Sequence, residues 1–426
     1  MNEKYDVIIV GSGPAGLGTA FYLAENTGIR VLIIDRSSLS SGGLRNDCKQ
    51  NYTYPVGFPE ELWGREEANK MLKVVEAYLE PECASLKNMD IYRKRADKTG
   101  VSLLSVRQSH VGTDRAVGLI NRLMKRLISM GVHTCLGNEV TGVDCRNRRV
   151  ILDNGVRDYG FTSLVLAPGR SGFKWLQKCM NELGVNYLDN IVDIGVRIEA
   201  REENYPIVSD CYDPKFIFPD GVRTFCTNSG AARVVQEKYE GYYSVNGHSF
   251  SHEIESSGLV NFAMLKTIRL TDPVVSGNQF ADILGQMAMK LSGGQPMMQR
   301  IGDFRMGRRS KLETFNKDLY DFKPTLAGAT PGDVSLAIPS KIMRHLWKSL
   351  KMLDTIVPGI LHPSTIIYYP EIKTYANRPE FKDHYFMVKD GIYMIGDGAG
   401  TSRGITAAWS SGIRAAMGIC SRHGLL

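Results

Sequence analysis

Three glycines at a fixed spacing, Gly11-Ser12-Gly13-Pro14-Ala15-Gly16, stand between the apolar run Tyr5–Val10 and an Ala/Leu-rich stretch, Ala15–Ala24. An acidic residue, Asp35, follows at the end of a second apolar run, Val31–Ile34. The chemistry that such a pattern performs is the holding of a pyrophosphate between a strand and a helix. Gly11 permits the tight turn, Gly13 lets the backbone come close to the phosphates, and Gly16 lets the helix pack on the strand, while the free N–H groups of the first helical turn favour an anion. Asp35 can then accept from ribose hydroxyls. Glycine turns also occur for purely structural reasons, but here both flanking strands and the helix are in the order that the motif requires.

The far end of the chain indicates which dinucleotide is meant. Ile392–Ile395 reads as a strand entering Gly396-Asp397-Gly398-Ala399-Gly400, and Thr401-Ser402-Arg403-Gly404-Ile405-Thr406 leads into a small-residue helix over Ala407–Met417. This resembles the second signature of FAD proteins with the glutathione reductase-type fold. The resemblance implies that the Asp397 carboxylate binds the ribityl chain. It also implies that the helix start after Gly404 faces the flavin N1 and C2 carbonyl, where negative charge collects on reduction. In that fold Ser41-Gly42-Gly43 would form a flexible turn running past the pyrophosphate, and the backbone near Val140 would bracket adenine. Ala167-Pro168-Gly169 would occupy the place of an Ala-Thr-Gly stretch, with proline instead of threonine. The expected FAD contacts are therefore Gly11, Gly13, Pro14, Ala15, Gly16, Asp35, Arg36, Ser41, Gly42, Gly43, Val140, Ala167, Pro168, Gly169, Gly396, Asp397, Gly404, Ile405 and Thr406.

Since the two signatures lie at opposite ends, the cofactor domain must be discontinuous. The expected fold is α/β: a three-layer, Rossmann-like FAD-binding domain on a parallel sheet, with an inserted α+β substrate domain on an antiparallel sheet. Residues 1–59, 108–189 and 366–426 are assigned to the FAD domain, 60–107 to a helical insertion and 190–365 to the substrate domain. The insertion has helical spacing at Leu62, Ala68, Met71, Leu72, Val75 and Leu79. A helix over Thr113–Met130 with Gly131 as its cap precedes strands at His133–Leu136 and Glu139–Val143. Thr162–Gly172 is another buried strand ending in a glycine turn. Beyond residue 190 the pattern changes to strands at Val192–Ile198, Phe216–Phe218, Val222–Thr227 and Tyr242–Val245, with helices at 278–291 and 340–354.

Composition narrows the function. The chain has 426 residues, 43% hydrophobic and 23% charged, which is ordinary for a globular protein of two or three domains. No apolar run reaches the length of a membrane span and the N-terminus lacks a leader, so a cytoplasmic location is expected. The cysteines at 48, 83, 135, 145, 179, 211, 226 and 420 contain no CxxC and no metal-type cluster, which argues against a redox disulfide, zinc or an iron–sulfur site. A net charge of +7 favours an anionic substrate or an acidic electron-donor protein and does not by itself argue for nucleic acid. The basic residues at 146–149 read as a solvated hairpin turn.

Nearly the whole chain resembles an FAD-dependent dehydrogenase family of bacteria and archaea, within the group that includes flavin ene-reductases and geranylgeranyl reductases. The stretches that carry this are Ser41–Gly43, Val111–Arg115, Ala167–Gly172, Val192–Arg197, Arg223–Asn228, Val245–Ser249, Gly307–Ser310 and Gly396–Gly400. The resemblance implies a flavoprotein oxidoreductase acting on a small organic molecule, without naming the molecule. No second glycine-rich dinucleotide motif follows a strand, so a separate nicotinamide domain is not expected, and either NAD(P)H or a ferredoxin-type protein could supply electrons. The Gly-Ala-Asp-Gly stretch of aromatic hydroxylases is replaced by Ala167-Pro168-Gly169-Arg170, which puts hydroxylation second.

The first reading is hydride transfer between flavin N5 and a substrate carbon, by desaturation or C=C reduction. It needs a carbon held about 3–3.5 Å from N5 and a group that exchanges a proton. His248 leads the candidates, with Arg223 and Cys226 next and Asn228 and Glu371 as alternates. His248 could equally be a turn residue, and Cys226 a core one. Arg308 and Arg309 could bind a carboxylate or phosphate, or form a structural ion pair to the flavin domain. A flavin monooxygenase, and a non-catalytic or RNA-associated FAD protein, remain as alternatives.

Overall fold

The computed structural model describes residues 3–40, 43–46, 48–84, 86–189, 191–239, 241–250, 254–270, 276–316 and 322–425. They form two compact units, Met1–Cys83 with Arg107–Asn190 and Tyr375–Leu426, and Ala84–Val106 with Ile191–Thr374.

The first unit is built on the run that precedes the glycine turn. Strand β1 (Lys4–Val10) lies parallel to β2 (Val31–Asp35) on one side, with Ile8 opposite Leu32. On its other side lies the long strand Arg157–Leu166, with Ile8 opposite Leu164. Strand Ile392–Met394 adds beyond Arg157–Leu166, and His133–Leu136 adds beyond β2, both parallel. β1 is apolar on both faces, as a parallel strand between two helical layers must be.

One face of this sheet carries the helices Pro14–Asn26, Arg65–Leu79, Thr113–Ser129 and Ile405–Arg422 on a shared core. The other carries helix Phe173–Leu183 and the hairpin Val140–Leu152, whose turn holds the basic residues 146–149. The result is the expected three-layer fold.

Small residues bring the first helix and the C-terminal helix into backbone contact. A Cβ at Gly18 would run into the Trp409 carbonyl, and one at Gly412 into the Ala15 carbonyl. In the space so released, the Thr19 hydroxyl donates across to the Gly412 carbonyl at 3.1 Å.

The division falls elsewhere than the sequence suggests. The stretch 60–107 is shared, because Ala68, Met71, Leu72, Val75 and Leu79 join the core of the first unit, whereas Met89, Tyr92 and Ala96 join that of the second. Ile366–Thr374 stays with the second unit, since it pairs along its length with strand Val192–Arg201. The chain thus returns to the first unit at Tyr375.

The second unit rests on an eight-stranded, mainly antiparallel sheet. At its centre β3 (Val192–Arg201) is antiparallel to β4 (Leu259–Ile268) and to β5 (Ile366–Thr374). Period-two alternation sends Ile194, Val196, Ile198 and Ala200 into a core with the helices Gly277–Leu291 and Ser340–Ile356. The intervening residues Asp193, Arg197 and Glu199 are just as buried. A strand with charges at every second position reads as solvated on that face; here the hairpin Ala232–Ser249 lies over it. Tyr368 donates to Glu199 at 2.6 Å and Thr267 to Asp193 at 2.6 Å, so the charges are satisfied within the unit.

Among the described residues no helix is long and apolar enough to cross a membrane, and no three His, Cys, Asp or Glu are grouped to hold a metal ion. The cysteines are free thiols, and burial pushes Cys211 up to about 11 and Cys179 to about 12, so neither is a thiolate near neutrality.

Candidate functional site

Within the first unit the glycine turn joins β1 to the first helix, and its three glycines are required for different reasons. Gly11 has φ +109°, and a Cβ there would overlap the Ala167 carbonyl. A Cβ at Gly16 would overlap the Gly11 carbonyl. Both glycines are therefore fixed by the protein's own packing. Gly13 is not: its φ of −73° suits any residue, and nothing lies within 4 Å of the Cβ position. The position nonetheless sits at the start of a 13-residue helix whose first turn has no side-chain cap. An uncapped first turn with a bare Cα and free space in front of it is the kind of place a pyrophosphate occupies. On this observation the residues present fit the dinucleotide.

Asp35, at the end of β2, is held by the same turn. Its Oδ2 accepts from the Ser12 N–H at 2.7 Å and the Ser12 hydroxyl at 2.8 Å, and its Oδ1 from the Ser37 N–H at 2.8 Å. A carboxylate has about four acceptor sites, so capacity remains for a ribose hydroxyl. The Asn138 N–H donates to the Asp35 carbonyl at 3.0 Å, which sets the segment leading to Val140 beside this end of the sheet. Arg36 donates to the Ser171 hydroxyl at 3.3 Å, joining β2 to the turn that follows Ala167-Pro168-Gly169. With proline at 168, the stretch is fixed by the Ala167 N–H to the Val10 carbonyl at 2.8 Å instead of by a threonine hydroxyl.

The second signature closes the other side of this unit. Gly396 has φ +80° and Gly404 φ +94°, two turns that a side chain would strain. Between them the Asp397 carboxylate accepts from the Ser402 hydroxyl at 2.8 Å and the Gly404 N–H at 3.0 Å, with the Arg170 guanidinium 3.8 Å away. Burial pushes its pKa up, and Arg170, the Gly404 N–H and the Ser402 hydroxyl pull it back. Gly404 also starts the 18-residue C-terminal helix with no side-chain cap and open space at its Cα. A second uncapped first turn therefore ends on the same unit as the first. Strand order puts Asp35 and Asp397 at the ends of strands three steps apart, about 14 Å at ~4.8 Å per step, a span for one extended dinucleotide.

Ile405 and Thr406, in the first turn of that helix, touch the segment 43–51. A Cβ at Gly43 would meet Ile405 at 3.9 Å, and the Thr406 hydroxyl donates to the Asn51 carbonyl at 2.6 Å. Gly43 begins a single helical turn, Gly43–Asn46, where a flexible turn was expected, because Leu44 is fully buried in the core and pins it. Ser41 and Gly42 lie outside the described residues.

The proton-transfer candidates are in the second unit. Arg223 forms an ion pair with Asp193, a fully buried carboxylate, so its charge is already matched. Cys226 sits at φ +50° in a bulge between Phe225 and Asn228, its carbonyl accepting from Arg197 Nη1 at 3.2 Å and Asn228 Nδ2 at 3.1 Å. His248 is half-buried on strand Tyr242–Ser249, opposite Arg233 and next to Gly247. Gly247 lies against the centre of a buried network, since a Cβ there would overlap Arg197 Nη1, Asn261 Oδ1 and Asn228 Nδ2. Arg197 holds Glu371 through two bonds, at 2.7 and 2.8 Å, with both side chains 0% exposed. Lys373 lies 3.7 Å from Glu371 and 3.0 Å from Glu237.

Cys226, Asn228 and Glu371 are thus neighbours of one charged cluster, whose centre, Arg197, the sequence did not single out, and His248 follows in the chain the glycine that packs on it. The available signal was period-two charge at Asp193, Arg197 and Glu199. Arg308 pairs locally with Asp303 at 2.7 Å, and Arg309 donates to the Pro331 carbonyl at 3.3 Å.

Residues 5–193 match the family described as pyridine nucleotide-disulphide oxidoreductase. The match ends just inside β3, so it covers the glycine turn, Asp35 and the Ala167 strand but not the Gly396 signature. Over 98% of its length the chain is 23% identical to an uncharacterised protein of Clostridium beijerinckii, of which 81% is covered. A Methanosarcina barkeri protein, also uncharacterised, is 24% identical over 49% of the chain and 46% of its own length. Among solved structures, glycine oxidase from Geobacillus kaustophilus aligns at TM-score 0.45 and 12% identity over 98% of this chain and 95% of that one. A geranylgeranyl bacteriochlorophyll reductase-like protein from Thermoplasma acidophilum aligns at 0.44 and 13%, over 100% and 80%. The dinucleotide turn and Asp35 lie in the first unit and within the matched segment, so the chain is similar over residues 5–193 to the pyridine nucleotide-disulphide oxidoreductase family, and it is an FAD-dependent oxidoreductase.

Proposed function

We propose that the protein transfers a hydride between N5 of FAD and a carbon of a small or medium organic substrate, desaturating it or reducing a C=C bond. The observation that carries the cofactor half of this reading is Gly13, a glycine that neither backbone conformation nor packing requires. FAD supplies the hydride acceptor or donor when bound. The chain's part is to hold its phosphates at the first turn, its ribose at Asp35 and its ribityl chain at Asp397. Hydride transfer is preferred to hydroxylation because Ala167-Pro168-Gly169-Arg170 stands where aromatic hydroxylases carry a different stretch, and Arg170 is committed to Asp397.

In this reading His248 exchanges the proton. Arg223, held by Asp193, positions the substrate, and Cys226 shapes the strand on which it lies. Anaerobic titration of the holoprotein with NADH, NADPH and reduced ferredoxin, followed at the flavin absorbance, identifies the donor. Reduced flavin that is reoxidised by an alkene without oxygen supports the proposal, whereas oxygen consumption coupled to substrate hydroxylation favours a monooxygenase. His248→Ala is expected to keep its FAD and lose about a hundredfold or more in turnover, the usual scale of a positioned acid or base. Unchanged turnover with full flavin content removes His248 from the reaction.

A further inference from the structure

The ribbon formed by strands Lys49–Asn51 and Gln108–His110 is tied to the first turn of the C-terminal helix by the Thr406 hydroxyl on the Asn51 carbonyl, at 2.6 Å. Its register places Asn51 opposite Gln108 and Lys49 opposite His110, so these four polar side chains share one face of the ribbon. Gln50 is on the opposite face, where the Tyr52 hydroxyl donates to its Oε1 at 2.6 Å. On the first face, Asn51 Oδ1 is buried and has no hydrogen-bond partner among the described residues. A buried amide oxygen without a donor costs about 1–3 kcal/mol, which a folded protein rarely leaves uncompensated. The oxygen belongs to the residue that Thr406 holds, and Thr406 is in the turn whose N–H groups face the pyrimidine end of the flavin if FAD is bound as read above.

The pyrimidine end of an isoalloxazine is an imide, C2=O, N3–H, C4=O, and its N3–H is a donor adjacent to the C2 carbonyl. We propose that the Asn51 side-chain amide reads this imide edge, its Oδ1 accepting the N3–H. The inference rests on the placement of FAD in the first unit and adds to it a group that recognises the ring itself, as distinct from the phosphates and sugars. Fixing N3–H by an uncharged acceptor leaves the C2 oxygen to the open N–H groups of the helix, so the two contacts divide the imide between an acceptor and donors. An amide serves better than a carboxylate there, because a negative charge beside the ring would oppose its reduction.

The test uses flavin-stripped protein titrated with FAD and with FAD methylated at N3, for wild type, Asn51→Ala and Asn51→Ser, with dissociation constants read from flavin absorbance. Wild type is expected to bind FAD about tenfold or more tightly than the methylated cofactor. In both variants that preference falls to about twofold or less, through weaker FAD binding together with relief of the methyl group. Equal binding of the two cofactors by wild type overturns the proposal, and this arm needs no variant to fold. A preference that survives unchanged in Asn51→Ser also overturns it while leaving FAD as the cofactor. Failure of wild type to take up FAD at all overturns the cofactor placement and this proposal with it.

Discussion

Gly13→Val is expected to leave the protein folded and almost unable to hold FAD. The backbone at Gly13 already has a φ open to every residue, and the added side chain meets no protein atom within 4 Å of its Cβ. Substitutions with so little around them change stability by about 0.5 kcal/mol or less. The same side chain would occupy the free space in front of the first helical turn, and under the proposed placement of FAD it would force the phosphates away from the N–H groups there. The expected loss of FAD affinity is at least about a hundredfold, or roughly 2.7 kcal/mol. Thermal unfolding of the flavin-free proteins, compared with FAD titration of each, separates the two effects. Gly16→Ala provides the contrast, because its Cβ would overlap the Gly11 carbonyl and the fold itself would suffer. A Gly13→Val protein that binds FAD like wild type would mean that the phosphates lie elsewhere.

Arg197→Met is expected to be the most destabilising single change outside the glycine turns. The guanidinium is the double partner of Glu371 and also bonds Asn261 at 2.7 Å, and neither Arg197 nor Glu371 has any exposed side-chain surface. Removing one member of a buried ion pair costs about 3–5 kcal/mol, and here it leaves Glu371 with only the more distant Lys373, 3.7 Å away and shared with Glu237. The urea midpoint of the flavin-free protein should fall accordingly. Replacing both members, Arg197→Met with Glu371→Leu, should recover a large part of the loss, since the costly feature is the unpaired charge and not the missing attraction. Lys373 retains Glu237 at 3.0 Å in that double variant, so the recovery does not depend on a second orphaned charge. A double variant no more stable than Arg197→Met would contradict the assignment of the cost to Glu371.

The elements that the sequence made legible are those whose chemistry is local. Gly11, Gly13 and Gly16 announce a turn because spacing and flanking strands are contiguous, and Gly396-Asp397 does so for the same reason. The helices over 113–129 and 405–422 follow from apolar periodicity and small residues. What the sequence hid is what long-range pairing decides. Nothing near Asn51 indicates that Thr406 will seize its carbonyl from 355 positions away. Asp397 combines a near neighbour, Ser402, with a distant partner, Arg170, and Asp35 takes Ser12 from 23 positions away, so both distant partners are brought in only by the folded sheet.

The charged face of β3 was open to reading through its alternation, but its burial was not, because the hairpin Ala232–Ser249 that covers it is separate in sequence from β3. The unit boundary was misplaced for a related reason. Residues 60–107 look uniformly helical, and only packing divides Leu79 from Met89.

The account depends on one claim, that both glycine signatures close around a single FAD within the first unit. Titration of flavin-stripped wild-type protein with FAD, and in parallel with FMN, tests it most directly. The expected result is saturation at one FAD per chain, with FMN at least about a hundredfold weaker because it reaches Asp397 and the C-terminal helix but leaves the first helical turn and Asp35 without their ligand. FMN binding as tightly as FAD, or no saturable flavin binding at all, would contradict it.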